Sequence, residues 1–230
     1  MTEDILIVYS SRTGNTKKLA GGIAEGFTES GIKAGLMPVE EENGAERAAA
    51  AETVFVGFWA DRGDADAKAL SFLQKLSGKR VGLFGTLGAY PDSAHARDLA
   101  GKLKALAAEK NTCLGCFLCQ GKIDPALTEQ FKKFPPGHPH AMTEERAARH
   151  AEAARHPDEA DIEAARRACA AMLGKGRTEI LSLYLCAGKR RTEERLSPVR
   201  PGKIYRTRRH NTGKVLCSGY FSNFSESSSE

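Results

Sequence analysis

Apolar positions along the first 123 residues alternate between two spacings. Short, nearly continuous apolar runs occupy residues 5–9 (Ile-Leu-Ile-Val-Tyr), 54–58 and 81–85, and turn residues bound each of them. Such runs predict strands covered on both faces. A half-polar run at 32–39 fits an edge strand, and a weaker apolar run at 117–123 predicts a fifth strand. Between the runs the period lengthens. Leu19, Ala20, Ile23 and Phe27 share one helical face, as do Leu70, Leu73 and Leu76, and again Leu99, Leu103 and Leu106. A last helix carries Ile162, Ala165, Cys169, Met172 and Leu173 on one stripe, and His156-Pro157-Asp158 marks its start. Strands alternating with helices predict βαβ units and an α/β fold around a parallel sheet.

Two segments break the alternation. Residues 124–157 contain Phe131, Phe134, Pro135 and Pro136, followed by an Ala/Glu/Arg/His-rich stretch over 141–155. They read as an inserted loop with one surface helix. Residues 174–230 follow neither period, and basic clusters at 189–191 and 206–210 lead into a Ser/Glu-rich end. The expected organisation is one domain over 1–173, carrying the 124–157 insertion, and a basic, disordered tail over 174–230.

Composition narrows the class. With 41% hydrophobic and 27% charged residues, the 230-residue chain is too apolar to be wholly disordered. No apolar run approaches the roughly 20 residues needed to cross a bilayer, which argues against a membrane span. The acidic start, Met1-Thr2-Glu3-Asp4, lacks the basic region of a secretory signal, so a cytoplasmic protein with six reduced cysteines is expected. The net charge of +5 is unevenly spread. From Gly174 onward 12 Lys and Arg face 5 Glu, leaving residues 1–173 slightly acidic. The tail lacks a zinc signature, an RNA-binding motif and a regular aromatic platform, so no specific nucleic-acid partner is expected.

The segment with the most chemistry is Ser10-Ser11-Arg12-Thr13-Gly14-Asn15-Thr16, where the first strand passes into the first helix. A helix N-terminus exposes unpaired N–H groups and a partial positive charge, and Ser and Thr hydroxyls add further donors for an anion. Gly14 permits a sharp turn. The loop matches neither G-x-G-x-x-G nor G-x-x-x-x-G-K-[ST], and a hydroxyl-rich loop without those glycines suits a terminal monophosphate.

Here the chain resembles the flavodoxin family, whose phosphate signature [ST]-x-T-G-x-[ST] directly follows the first strand. Ser11, Thr13, Gly14 and Thr16 match it, with Asn15 at the variable place. The resemblance covers residues 4–123 and the helix from 158 to 173. It implies a flavodoxin-like three-layer sandwich with a five-stranded sheet of order 2-1-3-4-5, binding flavin mononucleotide (FMN) at the carboxyl ends of its strands. The loops after the third and fourth strands then flank the flavin. They supply Trp59, Ala60, Asp61 and Gly63 on one side and Thr86, Leu87, Gly88 and Tyr90 on the other. Trp59 and Tyr90 are the expected stacking aromatics. The fourth-strand loop lacks the Cys-Gly-Asp run familiar in flavodoxins, and Arg12 adds a cation to the phosphate loop. Less negative charge near the ring predicts reduction potentials less extreme than in strongly acidic flavodoxins.

Cys113, Cys116 and Cys119 have the two-residue spacing of cluster ligands, but a compact fourth cysteine is missing. Buried thiols are the expected reading, because residues three apart on a strand face opposite sides. The run from Cys119 to Asp124 looks like that of a flavodoxin-like subfamily encoded beside anaerobic reductases, including bilirubin-reducing ones. His138, His140, His150 and His156 read as solvated, and no Ser/His/Asp arrangement is visible.

The resemblance thus implies an electron carrier taking electrons from a reductase and passing them to a partner enzyme. The alternative on the same fold is an FMN-dependent NAD(P)H quinone or azo reductase. A domain that has lost flavin and binds partners through its basic tail is a third reading.

Overall fold

The computed structural model describes residues 4–174, so the expectations for the basic tail beyond them lie outside the described residues. The chain runs β1 (Ile5–Tyr9), α1 (Asn15–Glu29), β2 (Ala34–Pro38), α2 (Gly44–Ala50), β3 (Thr53–Asp61), β4 (Asp64–Ala65) and α3 (Ala67–Lys75). It continues through β5 (Arg80–Leu87), α4 (Ala94–Ala108), β6 (Thr112–Gln120), α5 (Pro125–Lys132), α6 (Glu144–Ala153) and α7 (Glu159–Met172). Five parallel strands lie in the order β2-β1-β3-β5-β6. This is the expected 2-1-3-4-5 order, renumbered because the two-residue β4 pairs antiparallel with the end of β3.

Alternation along the strands assigns each side chain to a layer. Leu6, Val8, Val54, Val56, Val81 and Leu83 pack against Leu73 of α3 and Leu99 and Leu103 of α4. Ile5, Ile7, Phe55 and Phe84 pack on the other face against Leu19, Ile23 and Phe27 of α1 and Ile162, Ala165 and Cys169 of α7. The sheet centre is built by pairing phenylalanine with glycine across strands. Phe55 faces Gly82, Gly57 faces Phe84, and Phe58 faces Gly85. A Cβ at Gly57 would lie 2.3 Å from Phe84 Cζ, and one at Gly82 2.3 Å from Phe55 Cε1, so each ring occupies the space its partner glycine leaves. Strands β3 and β5 are thereby locked in one register.

Three boundaries differ from the expectations drawn above. Strand β6 begins at Thr112, five residues before the predicted run, because pairing with β5 extends regular structure through a segment without clean alternation. A bulge falls between the Val81–Cys113 and Gly82–Gly115 pairs. It puts Cys113 and Cys116 on the same face, although they are three apart, while Cys119 faces the opposite layer. The insertion holds two helices rather than one, and the short α2 was not anticipated. Helix α5 buries no residue, so it left no stripe to read. Its Asp124 N-cap and Pro125 are nevertheless a legible start. Helix α6 lies within the predicted stretch and is capped by Thr143. The Lys122 N–H donates to the His156 carbonyl at 2.9 Å, so the insertion leaves and rejoins the domain at one neck.

Candidate functional site

The carboxyl ends of β1, β3, β5 and β6 converge at one edge of the sheet, and the first loop is shaped there by local bonds. Gly14 caps α1 at φ 89°, a left-handed conformation that side chains resist. The Lys17 N–H donates to Ser11 Oγ at 3.2 Å, which folds the loop back over the helix start. Asn15 Nδ2 donates to Thr13 Oγ1 at 3.0 Å and to the Lys122 carbonyl at 2.9 Å, tying this loop to the one after β6. Thr16 is buried, with its Oγ1 3.0 Å from Thr86 Oγ1 and donating to the Phe58 carbonyl at 3.3 Å. Its hydroxyl holds the loop to the sheet.

A carboxylate that sequence reading missed organises the neighbouring strand. Asp66, buried, accepts from Ser10 Oγ at 2.7 Å, from the Trp59 N–H at 3.3 Å, and from the N–H groups of Lys68 and Ala69 at the start of α3. One side chain therefore fixes the phosphate loop, the tryptophan backbone and a helix cap together. The chain after Trp59 closes into a hairpin, with Asp61 paired to Asp64 across Arg62 (φ 50°) and Gly63 (φ 85°). Two successive positive φ angles are what a two-residue hairpin turn requires.

These loops surround a cavity of about 240 Å³. Of the expected site residues, Arg12, Thr13, Asn15, Trp59, Ala60, Thr86, Leu87 and Gly88 line it. Ser11, Gly14 and Thr16 belong to the same loop but do not line the cavity, Thr16 being buried and Gly14 exposed. Asp61 and Gly63 are drawn into the hairpin, and Tyr90 stands on the surface, 43% exposed, outside the lining. The rest of the wall comes from the chain after β6: Gly121, Lys122, Ile123 and Asp124, then Leu127 and Phe131 of α5 and Arg149 and His150 of α6. Sequence reading missed all eight. One clue was available, since an insertion that directly follows the last strand of a parallel sheet must emerge at the edge where ligands bind.

Electrostatics divide this wall. Arg12 Nη2 pairs with Asp124 Oδ2 at 2.8 Å, and the Arg12 guanidinium lies 5.6 Å from the Trp59 ring centroid. The cation that Arg12 adds to the phosphate loop thus has a counter-charge. His150 is buried, its Nδ1 3.0 Å from Thr128 Oγ1 and its ring 6.0 Å from that of Phe131. Burial, then Arg149 and Arg146, lower its pKa and favour the neutral imidazole. Arg149 Nε is buried with no hydrogen-bond partner. Elsewhere, burial pushes the Cys116 thiol up to about 12 and also raises Cys119 and Cys169. Protonated thiols are poor ligands and nucleophiles, in keeping with packing roles.

The cavity fits a flavin nucleotide in kind. A helix N-terminus with Ser and Thr groups stands at one side, Trp59 and the mostly apolar Leu87, Ile123, Leu127 and Phe131 at the others. Its volume is below the roughly 300–1,000 Å³ usual for small-molecule sites, and Tyr90 beside it is exposed. A ligand of that class would stay partly accessible from outside.

A family model described as a flavodoxin domain matches residues 6–170. The flavodoxin-like domain-containing protein BilS of Clostridioides difficile (strain CD3) is 32% identical over 168 residues, covering 68% of this chain and 89% of that protein. BilS of Clostridium symbiosum (strain WAL-14163) is 34% identical over 145 residues, covering 58% of this chain and 76% of that protein. Among solved structures, oxidised flavodoxin 1 from Bacillus cereus aligns with a TM-score of 0.49 at 15% identity, over 75% of this chain and 98% of that one. With its sheet order, its phosphate loop and the matched residues all in agreement, the chain belongs to the flavodoxin family of FMN-binding electron-transfer proteins, in the branch that includes BilS.

Proposed function

We propose that this protein is an electron carrier, receiving electrons from a reductase and delivering them to a partner enzyme in the cytoplasm. The observation that carries the reading is the single cavity wall that joins the hydroxyl-bearing start of α1 to Trp59 and the Thr86–Gly88 turn. When bound, FMN supplies the redox chemistry. Thr13, Asn15 and the N–H groups from Ser11 to Thr16 would hold its phosphate. Trp59, Ala60, Leu87 and Gly88 would border the ring, with Tyr90 available to cover it from the exposed side. Asp66 keeps the first loop and Trp59 in one fixed relation, so the cradle is formed before the ligand arrives. Leu127 and Phe131 exclude water from the insertion side. Cys113, Cys116 and Cys119 and the scattered histidines have no redox or metal part in this reading.

A second cavity of about 330 Å³ favours keeping the enzyme alternative. It lies between α5 and α6 and shares Lys122, Ile123 and His150 with the first. This is space that a small quinone or azo acceptor could use. No described helix is long and apolar enough to cross a membrane. The test is an absorbance spectrum of purified protein, followed by photoreduction and by NADPH oxidation assays with quinone. Flavin bands, resolved one-electron steps and negligible turnover without a reductase support the carrier. Rapid reductase-independent NADPH oxidation establishes the enzyme instead.

A further inference from the structure

The two arginines of the cavity wall are in opposite conditions. Arg12, on the family's phosphate loop, is 57% exposed and paired with Asp124. Arg149, on the insertion, makes no hydrogen bond or ion pair among the described residues, and its Nε is closed off from solvent. An Nε–H closed off from water without an acceptor is costly, and the outer Nη donors of the same fork, which are not closed off, have no acceptor among the described residues. The local surroundings add to that cost. Neighbouring His150 has a lowered pKa and Arg146 is a further cation, and of the carboxylates on α6 none pairs with Arg149: Glu152 is held by Arg155 and His156, and Glu144 and Glu145 make no ion pair with it. Arg146 donates to the carbonyls of Ala141 and Pro139, and its guanidinium lies 5.4 Å from the Phe131 ring centroid; these contacts hold the segment before α6 in place. On α5, Thr128 is already bonded to His150, and Phe131, which lines the same cavity as Arg149, is a ring without a carboxylate. The one carboxylate in the cavity lining, Asp124, is taken by Arg12.

We propose that Arg149 is the anion contact of the insertion, its guanidinium donating to an anionic oxygen of the bound flavin nucleotide. This rests on the FMN reading and adds to it a residue outside the three loops that carry the family resemblance. Two parts of the ligand have the required chemistry. The phosphate is anionic at all times, whereas the pyrimidine edge of the ring gains negative charge only on reduction. In the first case Arg149 selects FMN over riboflavin. In the second it raises the affinity for the reduced cofactor over the oxidised one, and so sets the potential.

The experiment compares full-length protein with Arg149→Gln and Arg149→Lys, titrating oxidised FMN and riboflavin by fluorescence quenching at low salt, then measuring the midpoint potential of each FMN complex. A phosphate contact predicts that Arg149→Gln weakens FMN about tenfold and leaves riboflavin unchanged, the scale of one charge-assisted hydrogen bond. A ring contact predicts unchanged binding of both oxidised flavins and about tenfold weaker binding of reduced FMN, read as a lowered potential. Either result supports the proposal, with Arg149→Lys retaining part of the effect. Arg149→Gln indistinguishable from the parent in all three measurements overturns it and leaves the FMN reading standing. A parent protein that binds neither flavin defeats that reading and this inference with it.

Discussion

The cavity has two walls made on different principles. Around the cavity the sheet wall pairs its polar groups internally: Thr16 with Thr86 and the Phe58 carbonyl, Ser10 and the Trp59 N–H with Asp66, Asn15 with the Lys122 carbonyl; the sheet's own unpartnered atom, Gln120 Nε2 at the end of β6, does not line the cavity. It rests on two continuous apolar layers. The insertion wall has almost no core of its own. Helix α5 buries nothing, α6 buries only His150 and Ala153, and Arg149 keeps an unpartnered Nε. Stability is concentrated in one wall, and uncompensated chemistry in the other. A ligand gains little from bonds already made inside the protein and more from donors still unpaired, so the insertion can tune binding while the sheet fixes position.

Core truncation tests the contrast most strongly. Phe55 is fully buried, 5.4 Å from the Phe27 ring, and Phe55→Ala should cost about 3–5 kcal/mol in denaturant unfolding. Overpacking the same layer is the next effect. Gly57→Ala sets a methyl against Phe84 and should cost about 1–3 kcal/mol, with a lower thermal midpoint. On the other wall, Phe131→Ala removes a half-buried ring and should cost only about 1 kcal/mol, since full burial of a phenylalanine contributes about 1.5–3. Its main signature should be weaker FMN binding in the same titration. A cost comparable to that of Phe55→Ala would abolish the distinction drawn between the walls.

Smaller changes sharpen it. Asp124→Asn removes an exposed ion pair and the charge that neutralises Arg12, so stability should shift by less than about 1 kcal/mol. The freed Arg12 should raise the FMN midpoint potential in spectroelectrochemical titration, and an unchanged value would show that Arg12 does not act on the ring. The smallest effect concerns pH. His150 has a folded pKa below its ordinary value of 6.5, so the unfolded chain binds more protons as pH falls through that value. Its contribution to stability is complete above pH 6.5 and is lost as pH drops through the lowered folded pKa. Exchange protection factors of α5 and α6, taken relative to the intrinsic rate at each pH, should therefore fall between pH 7 and 5 more than those of α1, and an equal fall would count against a role for His150.

Both helical layers, the buried strands and the loop at Ser11 to Thr16 were legible because each leaves a local trace, whereas the strand order came only from the family resemblance which that loop carries. Leu19, Ile23 and Phe27 repeat with the helical period, the buried strands are continuous apolar runs, and the phosphate signature is contiguous. Asp66 was not legible, since a lone aspartate before a helix signals only a cap, and its bonds to Ser10 and Trp59 join residues far apart in the chain. Nor was the hairpin that draws Asp61 and Gly63 away from the cavity, though Arg62-Gly63-Asp64 has suitable turn residues.

The sequence by itself determined the strands, the helices and the chemistry of the first loop, because periodicity and a short motif are properties of neighbours in the chain, and the resemblance carried by that motif implied the family and the sheet order. Only the tertiary structure decided that the segment after the last strand folds back over that loop, giving Arg12 its partner and leaving Arg149 without one. Charge pairing depends on distance in space, and residues 12, 124 and 149 acquire those distances only when the chain has closed around them.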